Sequence, residues 1–288
     1  MPDPKQFYSR PPVVAGAQGF YPSDPAKLTR DVKDYISSAE TKRPAKPLGL
    51  IAPHAGYVFS GPVAGWAYRQ IEGHSYDSVV VLSPSHAELI PFASVMTSGE
   101  YITPLGAVPV DGELADYLLS TTDSLVQGSL KGHLNHGWGV SEHALEVQLP
   151  FLQVALGDFK LVPIIVGDTS WAGCKSLAEG LAKVMSNYNV LIVASSDLSH
   201  YHSYNEAYAR DREVIAAIRN GQAQEIAEKC QTQQLEACGG APIAAMLAVA
   251  EMSGGCEVEI LRHRTSGDVP YGSRGQVVGY MAAALYRK

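Results

Sequence analysis

With 288 residues, 46% of them hydrophobic and 18% charged, the chain has the composition of a soluble globular protein and the length for one large α/β core or two small ones. A formal charge of -7 with no cluster of Lys and Arg argues against a nucleic-acid partner, since phosphate affinity comes mainly from clustered cations. The amino-terminal stretch from Met1 to Arg10 has no apolar signal-type region, and no run approaches the roughly 20 apolar residues of a membrane span, so a cytoplasmic protein without a membrane partner is expected.

In chain order, the first helical signal is Ser23 to Ile36, where an N-cap Ser or Asp, the early Pro25 and apolar residues at helical spacing coincide. With the Pro-rich stretch before it, this makes an N-terminal arm and helix over residues 1–45. The apolar run Leu48 to Ala52 reads as a buried strand ending in Pro53 and His54, and a helix is expected over Val63 to Ile71. A second apolar run, Ser78 to Leu82, leads to Ser83-Pro-Ser-His86 and completes a βαβ unit. Short strands are expected at Ala93 to Thr97 and around Ala107 to Asp111, then a helix at Glu113 to Ser120. A loop rich in Gly, His, Asn and Trp, Gly132 to Gly139, opens into a helix capped by Ser141 with Leu145, Leu149 and Leu152 on one stripe. Strand Lys160 to Val166, helix Leu177 to Met185 and strand Val190 to Ala194 follow. Helices Tyr204 to Arg219, Gln222 to Cys230 and Pro242 to Met252 precede closing strands at Glu257 to Arg262 and Gln276 to Ala284. Strands separated by helical stretches of ~10–15 residues imply one α/β domain over residues 1–288, a central mostly parallel or mixed sheet with helices on both faces.

Three of the apolar runs end within a few residues at a histidine: His54, His86 and His200. In an open α/β sheet, ligands gather beyond the carboxyl ends of the strands, so imidazoles placed there can converge. A lone His at a strand end more often caps a turn, but two at equivalent ends, each in a tight Pro-containing turn, favour metal ligation. Neutral imidazole suits zinc, iron and copper alike, and a third donor is then needed. The four cysteines, Cys174, Cys230, Cys238 and Cys256, have no CxxC spacing, so neither a zinc ribbon nor a disulfide framework is indicated. Cys238 is the sulfur candidate. Gly239, Gly240 and Pro242 place it just before a helix N-terminus, where partial positive charge favours a thiolate; the other reading is a small buried residue in a tight turn. Asp197, three residues before His200, is placed to orient that imidazole as a general acid/base, or else to cap a helix. Glu142 and His143 stay open as pocket residues, while Glu146 is assigned to the helix dipole.

The motifs, beginning with Val14-Ala-Gly16 and Phe20-Tyr-Pro22, then run through Ile51-Ala-Pro-His-Ala-Gly-Tyr57 with Ser60-Gly61 and Ser83-Pro-Ser-His86. Ser141-Glu-His-Ala-Leu-Glu-Val-Gln-Leu-Pro150, Ser195-Ser-Asp-Leu-Ser-His-Tyr201 and Cys238-Gly-Gly240 complete the series. Together, in order across nearly the whole chain, they resemble the Memo family. That family includes the B component of the AmmeMemoRadiSam system, named for its company with a radical SAM protein, and a eukaryotic relative linked to cell motility signalling. The resemblance implies a fold similar to class III extradiol ring-cleaving dioxygenases, whose non-haem iron is held by two His and a Glu, with a further His as acid/base. On the matching positions it implies His54 and His86 as metal ligands, Cys238 as the third ligand and His200 as the acid/base. Cys238 departs from the carboxylate of those enzymes. A thiolate is softer and redox-active and admits copper or a different iron chemistry, so ring cleavage does not simply carry over.

Two functions of different class follow. In the first, a metal-dependent oxidoreductase, His54, His86 and Cys238 hold iron or copper, a small-molecule substrate fills the cleft, and His200 with Asp197 moves protons. Tyr57, Glu142, His143 and Tyr201 are then the expected substrate-binding residues. In the second, a non-catalytic module holds a peptide or a partner such as a radical SAM protein, with Tyr57, Trp138 and Tyr201 as exposed aromatics at the cleft. A zinc hydrolase is a third reading, disfavoured because two His and one thiolate leave no nearby catalytic carboxylate beyond Glu142.

Overall fold

The computed structural model describes residues 5–16, 19–134 and 141–288. Its first half contains β1 (Tyr8–Arg10), α1 (Pro25–Ser37), β2 (Gly49–Ala52), α2 (Tyr57–Arg69), β3 (Ser78–Pro84), β4 (Ala93–Val95), β5 (Gly99–Thr103), β6 (Gly106–Pro109), α3 (Gly112–Ser120) and β7 (Val126–Gly128). The second half contains α4 (Leu149–Leu156), β8 (Lys160–Val166), α5 (Trp171–Asn187), β9 (Val190–Ser195), β10 (His200–His202), α6 (Tyr204–Arg219), α7 (Ala223–Gln231), α8 (Gly240–Met252), β11 (Cys256–Thr265) and β12 (Val277–Arg287).

Among the described residues, nine strands form the main sheet in the order β10-β12-β2-β9-β3-β8-β4-β7, with β11 paired to β12. At its centre β2, β9, β3 and β8 run parallel, so their carboxyl ends share one edge. β12 and β4 join this block antiparallel on its two sides, making the sheet mixed. β1, β5 and β6 form a separate three-stranded sheet.

The central runs are unbroken in apolar residues because both faces are covered. All six residues of β9 are buried; alternation sends Val190, Ile192 and Ala194 into one core and Leu191 and Val193 into the other. Helices α3 and α5 to α8 build the first core, and α1, α2 and α4 the second. From Gly240 to Ala250 every residue of α8 is buried, as befits an interior helix that is apolar on all sides.

Two helix starts differ from the sequence pattern. α2 opens at Tyr57, six residues before Val63, and contains Pro62. That proline leaves the Val58 carbonyl without its helical donor, which is tolerated because Val58 is 63% exposed to water. The helix expected from Ser141 begins only at Leu149, after a 3-10 turn at Glu146–Gln148. β1, β5, β7 and β10 are short strands with too little alternation for the sequence pattern to signal them.

Candidate metal centre

The parallel strands deliver their turns to one place. In register, Ala52 at the end of β2 lies beside Ser195 at the end of β9, so His54 emerges against Ser195. The Ser195 hydroxyl donates to the Ala144 carbonyl (2.7 Å) and accepts from Gln148 Nε2 (2.7 Å). With its one proton committed, it meets His54 Nδ1 at 2.9 Å as an acceptor, so Nδ1 carries the imidazole proton. His54 Nε2 is left bare and lies 3.2 Å from Cys238 Sγ. Burial, with the neighbouring His86 and His143 adding to it, pushes the His54 pKa far below the ordinary value and keeps the ring neutral.

Glu142 treats His86 in the same way. Its carboxylate accepts four N–H groups: His86 N, His86 Nδ1 (3.1 Å), His143 N (2.8 Å) and Ala144 N (2.8 Å). Burial alone would raise this carboxyl; the hydrogen bond and charge of His86, then the backbone donors, outweigh it and hold Glu142 at about 2. His86 Nδ1 therefore bears a proton and Nε2 is the atom turned away from the carboxylate; burial lowers the pKa of the ring, but the hydrogen bond and charge of Glu142 outweigh it and raise it. Behind the turn, the buried Arg10 of β1 donates to Glu146 Oε2 (2.8 Å), to the His133 carbonyl (2.9 Å) and to the Glu142 carbonyl. Glu146 also accepts from Val13 N, Val14 N and the Tyr21 hydroxyl. It is thus a structural anchor for the N-terminal arm rather than a helix-dipole charge.

Cys238 precedes α8 and is tied to the β9 turn. It donates its N–H to the Asp197 carbonyl (3.3 Å) and receives the Asp197 N–H on Sγ (3.2 Å). The helix N-terminus does not lower this thiol as the sequence suggested: desolvation, followed by the Asp197 carboxylate, pushes its pKa up. The neutral thiol is therefore the resting form until a cation takes the place of its proton.

Donor atoms of His54, His86 and Cys238 lie within 4.8 Å of one another, and so do those of His86, Glu142 and His143. The second set has the two-imidazole, one-carboxylate composition of a non-haem iron site. Its carboxylate already serves four N–H donors, so Glu142 acts as an anchor for His86 and not as a ligand. The first set fits a soft or borderline cation: two imidazoles presenting Nε2 and one sulfur, each ligand fixed by a partner on its far side, as metal ligands commonly are. His143 completes the cleft, its ring stacked on His86 at 5.2 Å and 18° and edge-on to His54 at 5.8 Å.

The remaining predicted residues divide. His200 is half-buried on β10; its Nδ1 pairs with the Leu198 carbonyl (2.8 Å), leaving Nε2 free, and burial lowers its pKa. Asp197 does not orient it, contrary to expectation. Its carboxylate instead accepts the His54 N–H (2.8 Å), across the β2–β9 pair, and burial raises its pKa to about 7. Tyr57 is not a cleft residue: it is buried in the second core against Tyr21 and Phe151, and its hydroxyl donates to the Val147 carbonyl (2.6 Å). Tyr201 is 69% exposed beside His200. Trp138 lies outside the described residues.

Two cavities meet at this centre. One of about 630 Å³ lies over His86 and Cys238, walled by Leu89, Ile90, Pro91 and Val166. The other, about 430 Å³, is shared by His200 and Cys238. Sequence reasoning missed Ser195 and Gln148, the partners that set the His54 tautomer. A Ser closing a wholly buried strand was the available signal, but its partner depends on strand register.

The family model described as Memo-like protein matches residues 10–284. A MEMO1 family protein of Thermotoga petrophila is 35% identical over 289 residues, covering 96% of this chain and 99% of its own. One from Pyrobaculum arsenaticum is 33% identical with the same coverage. A crystal structure of an uncharacterized protein from Escherichia coli K12 is similar over 73% of this chain and 86% of its own, with a TM-score of 0.49 and 15% identity. With the family model spanning almost every residue and relatives matched end to end, the chain belongs to the Memo family.

Proposed function

We propose that the protein is a metal-dependent oxidoreductase that acts on a small molecule, with His54, His86 and Cys238 holding iron or copper. The observation that carries this reading is the placement of two imidazoles beside Cys238 Sγ, each turned by a hydrogen bond at Nδ1 so that Nε2 is the atom left for a cation. A bound redox cation would supply one-electron chemistry between dioxygen and the substrate; zinc would fit the same donors without it. The chain's own residues do the rest. Ser195 and Glu142 orient the two imidazoles through their Nδ1 atoms, and the Asp197 N–H stabilises negative charge on Cys238 Sγ. His200, with Nε2 free and its pKa lowered, accepts a proton at that nitrogen. The larger cavity over His86 opens to solvent at the fully exposed Leu89 and has the volume of a small-molecule pocket.

Metal analysis of protein purified anaerobically tests the reading. A redox cation bound to the wild type and lost in His54→Ala and Cys238→Ser, with oxygen uptake on some member of a phenolic and indolic panel, supports it. Wild-type metal content in both variants, or no oxygen uptake across the panel, contradicts it.

A further inference from the structure

Helix α6 buries Ala207, Asp211, Val214 and Ile218 along one stripe. An aspartate at a core position of such a stripe is costly unless its oxygens are bonded. Asp211 Oδ1 accepts the Ser199 N–H (3.0 Å), and Oδ2 pairs with Nε2 of His263 on β11 (2.7 Å). Room for the carboxylate comes from Gly279 of β12, where a Cβ would stand 2.1 Å from Asp211 Oδ2. The same glycine fixes the chain on either side of the Ser199 N–H: its carbonyl accepts from Leu198 N (2.8 Å) and its N–H donates to the Ser199 carbonyl (2.8 Å). The Ser199 N–H and the Leu198 carbonyl belong to one planar peptide. That carbonyl accepts the proton on His200 Nδ1 (2.8 Å). A carboxylate, a peptide and an imidazole are therefore bonded in series.

We propose that Asp211 is the positioning residue of His200: through the Leu198–Ser199 peptide it commits Nδ1 to carry the ring proton and leaves Nε2 as the atom that takes a proton from the cleft. The inference rests on the acid/base reading of His200. A carboxylate at the N–H end polarises the peptide and strengthens its carbonyl as an acceptor, because hydrogen bonds in series reinforce one another in a low-dielectric interior. When Nε2 takes a proton, the imidazolium that forms is stabilised by the same charge. The arrangement does the work of an Asp–His pair with a peptide set between the two side chains. The surroundings of His200 agree. Burial lowers its pKa; the Leu198 carbonyl works against that, as do the charges of Glu236 and Asp211, while His86 adds to it. Glu236 is shared between His202 and Arg210. The other titratable neighbours are Cys230 and Cys238 in the same cavity and His54 at the end of β2.

Side-chain nitrogen-15 NMR of the full-length, metal-free protein reads the tautomer and the titration midpoint of His200, whose signals are assigned with His200→Gln. The wild type shows the neutral ring protonated at Nδ1. In Asp211→Asn the amide oxygen still accepts the Ser199 N–H, but the charge is gone. The Nε2–H tautomer then appears and the midpoint falls by about 0.5–1 unit. His263→Ala takes the other partner from the same carboxylate and destabilises the fold, yet keeps the Nδ1–H tautomer, because the Ser199 bond remains. If Asp211→Asn does not fold, Gly279→Ala, which crowds the carboxylate away from Ser199, carries the test with the same change of tautomer. A folded Asp211→Asn with the wild-type tautomer and midpoint overturns the proposal. The same tautomer change in His263→Ala overturns it equally, since Asp211 would then be only a tether of α6. Oxygen uptake at the wild-type rate in His200→Gln removes the acid/base reading of His200, a separate failure that leaves the NMR result standing.

Discussion

Glu142→Gln separates the anchoring of His86 from the general integrity of the fold. The Glu142 carboxylate serves three donors on Oε1 and the His86 N–H on Oε2. A glutamine has one acceptor oxygen. With that oxygen in the Oε1 position, the amide NH2 faces the His86 N–H, and a buried donor left unpaired costs about 1–3 kcal/mol. The other three bonds lose their charge assistance, about one further kcal/mol in sum, so the metal-free variant is destabilised by about 2–4 kcal/mol. Loss of such an outer partner of a ligating His weakens metal binding by about 10–100-fold, or about 1.4–2.7 kcal/mol. Urea unfolding of the metal-free protein measures the first quantity and competition against a chromophoric chelator the second. A variant destabilised as expected but with a metal Kd within about threefold of wild type refutes the anchoring role, because Glu142 would then hold only the chain.

Other perturbations test separate joints of the structure. Arg10→Ala strands the buried Glu146 carboxylate and lowers stability in denaturant melts by about 3–5 kcal/mol, whereas a surface ion pair would cost less than about 1 kcal/mol. Tyr57→Phe leaves the Val147 carbonyl without its donor, costs about 1–2 kcal/mol and leaves metal affinity unchanged; altered small-molecule binding would return Tyr57 to the cleft. At Gly279 a Cβ would stand 2.1 Å from Asp211 Oδ2. Asp211 accepts the Ser199 N–H (3.0 Å) and pairs with His263 (2.7 Å), so Gly279→Ala costs about 1–3 kcal/mol by overpacking. Combined with Asp211→Ala the loss is less than the sum of the two singles, since they share one crowded spot; additivity within about 0.5 kcal/mol contradicts that coupling.

Long elements were legible where one physical cause dominates. β3, β8 and β9 are apolar runs because both sheet faces are covered, and α6 spans Tyr204–Arg219 as its periodicity indicates. Local signals misled at element starts. Ser141 looks like an N-cap, yet the chain first makes a turn closed by Val147 N–H on the His143 carbonyl and a 3-10 turn at Glu146–Gln148, and the α-helix waits until Leu149. Pro62 reads as punctuation but sits inside α2, where the carbonyl it orphans faces water.

The site shows the same division. Histidines and Cys238 could be placed at strand and helix ends from sequence because open α/β sheets gather their turns at one edge. Their partners could not. Asp197 is three residues from His200 in the chain, but the β2–β9 register carries it to the His54 N–H. Tyr57 follows His54 by three residues and, as the first residue of a helix, faces inward to Phe151. Contacts set by register and by helix phase lie beyond what spacing along the chain reports.

The central claim concerns the atoms that would hold the cation, and X-ray absorption spectroscopy of the metal-loaded protein at the metal edge tests it most directly. The account predicts a first shell with two imidazole nitrogens and one sulfur, the sulfur absent in Cys238→Ser and one imidazole absent in His54→Ala. A first shell of nitrogen and oxygen without sulfur, unchanged by either substitution, would contradict it.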